Sequence, residues 1–299
     1  MTHQPMLGIG IGDALGMPFE TLPHFSSALT GWDGQTFLDA PTDPESGYSH
    51  GLKAGQWTDD TQMSICLAES LVACPTYKPE DAAQRYLAWF NSGDARGIGG
   101  ATRRACEKLN QGTPWTESGT QGSMGSGTAM RAIPLGIAYR NAYIQELREA
   151  AYQDASITHQ NDAAKEASFI VAYVARHLAL SHIHLPVELF ASLLSEGSRV
   201  GNAITKAEKA RTQDDMLAIG TGGSCYEVVG TALACLRTTQ TYEEAVTQAI
   251  RLGGDTDTRA AIVGGWAGIT REIPEAWIKQ VERPDLLMAL DASLLALSR

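Results

Sequence analysis

The chain of 299 residues has no CxxC pair and no apolar run approaching the roughly 18–20 residues that a membrane-crossing helix requires. Its five cysteines, Cys66, Cys74, Cys106, Cys225 and Cys235, are an odd number scattered along the sequence. That distribution fits reduced, mostly buried thiols better than a disulfide framework. Neither the basic stretch nor the apolar segment of a secretory signal follows Met1, so the expected compartment is the cytoplasm. Basic residues are in deficit: 23 Lys and Arg against 34 Asp and Glu leave a formal charge of −11. This argues against a broad nucleic-acid surface, which needs clustered cations. It does not argue against an acidic substrate, because bound divalent cations reverse the sign of the field inside one cleft. Runs of alternating β-branched residues bounded by hairpin turns are missing as well.

What is present reads as helix. With 43% hydrophobic and 19% charged residues the chain can build an ordinary buried core. Over 61–73, Met63, Cys66, Leu67, Leu71 and Val72 recur near a period of about 3.6 residues. Pro79-Glu80-Asp81, Pro186-Val187-Glu188, Pro274-Glu275 and Pro284-Asp285 each resemble a helix start. Proline at the first helical position loses no needed hydrogen bond, and early acids suit the positive end of the helix dipole. Further helices are expected over 97–110, 129–141, 162–181, 225–237 and 243–252. The predicted fold is all-α, a compact orthogonal helical bundle. No repeat or composition break divides residues 1–299, so a single domain is expected. Two stretches lack the periodicity: 20–57, rich in Gly, Pro, Ser and Asp, and the glycine-rich 111–128. Structureless loops longer than about 12–15 residues are usually functional lids or disordered.

Two clusters concentrate oxygen donors. Thr58-Asp59-Asp60 and Asp255-Thr256-Asp257-Thr258 each place two carboxylates and at least one hydroxyl at the start of a helical stretch. Either one alone is equally well read as a helix cap followed by first-turn acids. Together they ask for more, because like charges so crowded cost free energy unless a cation or proton neutralises them. Oxygen donors without Cys or His partners suit Mg²⁺, Mn²⁺ or Ca²⁺ rather than Zn²⁺. Four carboxylates in two groups can bridge two ions at the usual spacing of about 3.5–4 Å. An EF-hand is excluded, since counting from Asp255 its glycine and glutamate positions hold Ala260 and Trp266. An aspartyl-phosphatase DxDxT nucleophile fails too. Gly253-Gly254 rather than an apolar strand precede the acids, and Arg259 stands where Thr is needed. A metal-free carboxylate pair for glycoside hydrolysis stays open, but leaves the threonines unexplained.

The loop Gly125-Ser126-Gly127-Thr128, leading into Ala129-Met130-Arg131, offers backbone N–H groups suited to phosphate. It matches neither the Walker nor the Rossmann fingerprint and reads equally well as a flexible connector. Gly264, Gly265 and Gly268, after Asp257, favour close helix packing over ligand contact. His159, just before a long helix, is more simply a cap or core residue, and Glu20 by itself is a loop acid.

Taken jointly, GDALGMPFE at 12–20, TDDT at 58–61, GSGTAMR at 125–131, ITH at 157–159 and GGDTDT at 253–258 resemble the ADP-ribosylglycohydrolase family, in order and spacing across nearly the whole chain. TDDT followed by a C-terminal GGDTDT is the specific part; the other pieces are individually weak. The resemblance implies a compact all-α fold around a binuclear centre of two Mg²⁺ or Mn²⁺ ions, held by Thr58, Asp59, Asp60, Asp255, Asp257 and Thr258. It implies further that the loop of Gly125, Ser126, Gly127, Met130 and Arg131 holds a pyrophosphate. His159 would lie near ADP-ribose, and Glu20 would belong to a flap over the substrate ribose. Two residues depart from the family pattern. Members often carry Asn at the place of Ser126, which bears on substrate preference. Arg259 is a bulky cation where small or apolar residues are common, so it either points away from the metals or meets a phosphate or acidic leaving group.

The expected reaction is hydrolysis at C1 of the distal ribose of ADP-ribose, linked foremost to an arginine nitrogen on a protein. Asp59, Asp60 or Glu20 would orient or deprotonate the attacking water. A hydrolase of a small ADP-ribose conjugate and a non-catalytic ADP-ribose or nucleotide-binding module are the rival expectations. No nucleic-acid or membrane partner is expected, and the sequence does not specify an oligomeric state.

Overall fold

A computed structural model describes residues 3–42, 51–180 and 185–297. Among these, the helices of ten residues or more are α1 (Pro5–Gly16), α2 (Asp59–Ala73), α3 (Pro79–Asn91), α4 (Gly100–Asn110), α5 (Ile144–Thr158), α6 (Asp162–Ala179), α7 (Arg199–Lys209), α8 (Cys225–Thr238), α9 (Tyr242–Arg251), α10 (Thr256–Thr270) and α11 (Pro284–Ala296). Shorter helical segments join them, and the fold is all-α. Two-residue strands β1 (Thr120–Gln121) and β2 (His159–Gln160) pair in parallel; they are too short to leave an alternating pattern in the sequence. No helix of the described residues is long and apolar enough to cross a membrane.

The helix that organises the site carries no amphipathic stripe. Every residue of α1 is buried, so its sequence shows no periodic apolar face for a pattern to reveal. It lies against α10, which is buried from Thr256 to Ile269. Gly8, Gly12 and Gly16, four residues apart, form one face of α1. A Cβ on any of them would overlap the backbone of Gly264, Ala260 or Thr256 respectively. In return, Gly264 and Gly268 admit the carbonyls of Gly8 and Gln4. Helical glycine costs about 1 kcal/mol relative to alanine; here it lets two backbones approach closer than ordinary side chains permit.

That contact carries the C-terminal half of α1 to the starts of both α2 and α10. The Thr256 hydroxyl donates to the Gly16 carbonyl at 2.8 Å, and Asp13 faces the first turn of α2. The other end of α1 is capped from afar. Asp291 of α11 accepts from the backbone N–H groups of Met6 (2.7 Å) and Leu7 (3.2 Å), satisfying donors that the first turn of a helix leaves orphaned.

Some expected boundaries move, for physical reasons. The helix expected over 129–141 is reduced to Ile133–Ala138, with a 3₁₀ turn at Ser126–Thr128 before it. Pro134 has no N–H and fits only the first turn of a helix, so the chain restarts there. The helix expected from 97 begins at Gly100, and the one expected to reach 181 ends at Ala179, Ser181 lying outside the described residues. Within 20–57, residues 43–50 also lie outside them. The described part is anchored rather than structureless. It holds the helix Ser27–Gly31, buries Trp32 and Phe37, and receives a hydrogen bond from the Trp277 indole to the Gln35 carbonyl at 3.0 Å.

Candidate active site

The first acid cluster is held by a residue that the sequence does not flag. Asp13 is fully buried and accepts four hydrogen bonds from the start of α2. The backbone N–H groups of Thr58 and Thr61 donate at 2.9 and 3.1 Å, and their hydroxyls at 2.9 and 2.6 Å. A carboxylate in this place caps the helix and locks Asp59 and Asp60 into its first turn. Burial raises Asp13 to about 6, against the pull of its four donors. Asp60 Oδ2 lies 3.2 Å from the same Thr58 hydroxyl and shares its proton with Asp13, while Asp60 Oδ1 is buried with no hydrogen-bond partner.

The second cluster is presented by a left-handed turn. Gly253 (φ 69°) and Gly254 (φ 74°) occupy the region that side chains avoid, and a Cβ on Gly254 would also overlap the Thr221 carbonyl. The turn is stitched to the Glu20 segment, because the Thr21 N–H donates to the Gly254 carbonyl (2.8 Å) and the Gly254 N–H to the Leu22 carbonyl (2.7 Å). Arg259 fixes it from behind. Its guanidinium is wholly buried and bonds the carbonyls of Ala249 (2.8 Å), Gly253 and Thr221 (3.5 Å). Of the two expectations for Arg259, the structure supports the first: it points away from the acids and terminates α9 with a cation.

The clusters converge. Burial, followed by the charges of neighbouring acids, pushes Asp59, Asp60 and Asp257 well above the usual carboxylate range. Asp60 feels Asp13, Asp59 and Asp255, and Asp257 feels Glu20, Asp60, Asp255 and Asp13, so each cluster acts on the other. Among the described residues no three His, Cys, Asp or Glu side chains close into a metal-ligating set. The case for a cation rests instead on donor chemistry: acidic oxygens crowded in a buried place, one of them without a partner. Such a set fits a hard divalent ion.

These acids form one wall of a cleft of about 640 Å³, lined also by Glu20, Thr258, Gly125, Ser126, Gly127, Met130 and His159. That volume suits a nucleotide-sized ligand. Thr58 is buried behind the wall, with its hydroxyl turned toward Asp13 and Asp60. The glycine loop is pinned to the second cluster, because the Ser126 hydroxyl donates to Asp255 Oδ2 at 3.0 Å and its N–H to the Gly223 carbonyl at 3.0 Å. A side chain on Gly127 would press on the His159 ring (3.1 Å) and the Thr102 hydroxyl (3.3 Å). His159 is both buried and part of the cleft. Desolvation first, then Arg131 and Arg104, lower it to about 3, so its ring is neutral; Nδ1 lies 2.9 Å from the Thr158 hydroxyl.

Arg131 departs from the expectation of a ligand contact. It is fully buried, pairs with Asp154 (2.8 Å), stacks over Tyr86, and donates to the Gly127 carbonyl at 2.7 Å. It supports the loop from below rather than facing the cleft. Besides Asp13, sequence reasoning missed Arg104, Thr21, Thr102 and Gly222-Gly223 in the lining. Asp13 lay in the motif at 12–20 and Thr21 in the stretch 20–57, neither with a role assigned.

The raised carboxylates make stability depend on pH with a definite sign. Their folded-state values lie above the unfolded value of about 4. Without a cation, the stability they contribute is complete below that value and is lost as pH rises through the folded-state range. Chelated protein is therefore expected to melt at lower temperature at about pH 8 than at about pH 5, and Mn²⁺ to reverse the loss at about pH 8. Calorimetric scans with and without chelator check this; a chelated melting temperature that rises with pH contradicts it.

Comparisons with known proteins identify the family and the fold. The family model described as ADP-ribosylglycohydrolase matches residues 4–299. The ADP-ribosylarginine hydrolase Tri1 of Pseudomonas putida is 28% identical, over 92% of this chain and 72% of its own. The ADP-ribosyl-[dinitrogen reductase] glycohydrolase of Rhodospirillum rubrum is 26% identical, over 92% and 88%. A solved structure described as an ADP-ribosylglycohydrolase-related protein complex superposes with a TM-score of 0.78 at 28% identity, covering 99% of this chain and 97% of that one. With a family model matched from residue 4 to the last residue and the same fold in a solved relative, this chain belongs to the ADP-ribosylglycohydrolase family.

Proposed function

We propose that the chain hydrolyses the bond between C1 of the distal ribose of ADP-ribose and a nitrogen of an arginine side chain on a protein, at a site holding two Mg²⁺ or Mn²⁺ ions. The observation that carries this reading is the meeting of the α2 and α10 acids with Glu20 and a glycine-rich loop in one cleft. Relatives named for ADP-ribosylarginine support arginine as the acceptor, and an acidic wall suits a cationic guanidine leaving group. The five free thiols support a reducing compartment such as the cytoplasm.

Thr58, Asp59, Asp60, Asp255, Asp257 and Thr258 would hold the ions. When bound there, such ions supply charge neutralisation and lower the pKa of a nearby water. The chain does the rest. Glu20, at the end of the 3₁₀ turn Met17–Phe19 and within the field of Asp59 and Asp257, would take a proton from the attacking water. The carboxylates around it stabilise the positive charge that develops at an anomeric carbon. The Gly125, Ser126 and Gly127 backbone would cradle the pyrophosphate, Met130 would supply an apolar wall, and neutral His159 would offer a hydrogen bond without adding charge.

The test is release of ADP-ribose from ADP-ribosylarginine with Mg²⁺ or Mn²⁺. Activity confined to a small conjugate would move the acceptor assignment, and binding without release at any divalent concentration would contradict the hydrolase reading. Glu20→Gln is expected to keep Mn²⁺ affinity and lower kcat by about 10²–10⁴-fold; unchanged steady-state kinetics would remove Glu20 from the reaction.

A further inference from the structure

The cleft is also lined by the start of α4, with Gly99, Gly100, Ala101, Thr102 and Arg104, and the Gly99 backbone is hydrogen-bonded to Asp59. Arg104 is exposed, and its side chain makes no hydrogen bond or ion pair with any described residue. Gly100 and Arg104, four residues apart, share a helical face, and the guanidinium folds back along that turn. Its Nη1 lies 3.2 Å from where a Cβ on Gly100 would stand. The same helix carries Thr102, whose hydroxyl adjoins Gly127, and Gly127 in turn adjoins His159. Arg104 therefore lines the cleft from the helix that meets the glycine loop through Thr102.

The other basic groups nearby bring no free charge to this wall. Arg131 is sunk in its pair with Asp154 and its bond to the Gly127 carbonyl. Arg259 is turned to backbone carbonyls. His159 stays neutral in its buried place. Among the described residues of the cleft lining, Arg104 is left as the full positive charge, on a cleft whose glycine loop offers backbone N–H groups that carry no net charge. A guanidinium fork is also the side chain best matched to phosphate oxygens.

We propose that Arg104 pairs with the diphosphate of the bound ligand and so selects ADP-ribose conjugates over ribosyl compounds that lack phosphate. This rests on the function proposed above and assigns one of its specificity determinants.

The experiment is calorimetric titration of ADP-ribose into the Mn²⁺-loaded wild-type protein, Arg104→Gln and Arg104→Lys, at low and high NaCl. Arg104→Gln is expected to raise Kd by roughly 10–100-fold and to flatten its salt dependence, with melting temperature and Mn²⁺ affinity unchanged. Arg104→Lys is expected to fall between the two, since it keeps the charge and loses the fork. A Kd for Arg104→Gln within about twofold of wild type, with wild type binding, overturns the role of Arg104 and leaves the hydrolase reading standing. Failure of the wild-type protein itself to bind ADP-ribose overturns both.

Discussion

Asp257→Ala is expected to reduce turnover on ADP-ribosylarginine by at least about a thousandfold while leaving the fold intact. The two halves of this expectation have one cause. Asp257 is almost fully buried at the start of α10, where its charge is opposed by burial and by Glu20, Asp60, Asp255 and Asp13. A carboxylate in that position is a liability to the folded chain and an asset only to a cation or to reacting atoms. Its removal takes away an oxygen donor from the centre of the acid wall, so metal affinity and turnover fall together. The same removal relieves repulsion, so the chelated variant is expected to melt no lower than chelated wild type. Kinetics, metal content and a thermal scan on one preparation check all three. Full activity with normal metal content would show that the two clusters do not work as one.

Arg131→Met carries the largest expected effect on stability. Arg131 and Asp154 are both wholly buried, and the Tyr77 and Tyr86 hydroxyls donate to Asp154 Oδ1 at 3.0 and 2.8 Å. Methionine fills much of the volume but strands Asp154 with a charge that two tyrosines alone do not compensate. Breaking such a pair from one side costs about 3–5 kcal/mol, or roughly 10 °C in melting temperature for a chain of this size. The loop should suffer too, because the 2.7 Å bond to the Gly127 carbonyl disappears. Adding Asp154→Leu is expected to recover part of the stability, since a hydrophobic pair can replace a buried ionic one. It should not recover ADP-ribose affinity, since the support under Gly127 is still gone. Thermal scans of the single and double variants separate the two roles. A single variant that melts within about 2 °C of wild type would contradict this account of the pair.

The sequence and the structure meet where local chemistry is repetitive and part where it is not. The acid clusters are legible because two carboxylates beside a hydroxyl, twice, at helix starts, are hard to explain as caps alone. Helix α2 is legible because its apolar positions keep a period. Helix α1 is not, because burial on every side erases the period. Asp13 escapes for the same reason and one more: its partners Thr58 and Thr61 are 45 and 48 residues away, a pairing that no local pattern encodes. Arg131 and Arg104 show the limit from the other side. Both are arginines near glycine-rich segments, and only the structure shows that one turns inward to a buried carboxylate while the other lines the cleft. Pro134, visible in the sequence, was enough to shorten the helix expected over 129–141.

The central claim is that clusters nearly 200 residues apart in sequence form one cation-binding site. Counting bound Mn²⁺ by electron paramagnetic resonance in wild type, Asp60→Ala and Asp257→Ala tests it most directly. The expected result is two ions per wild-type chain and a loss of affinity for both when either cluster is altered. Wild-type protein that binds no Mn²⁺, or a variant in one cluster that leaves both ions bound as tightly as before, would contradict it.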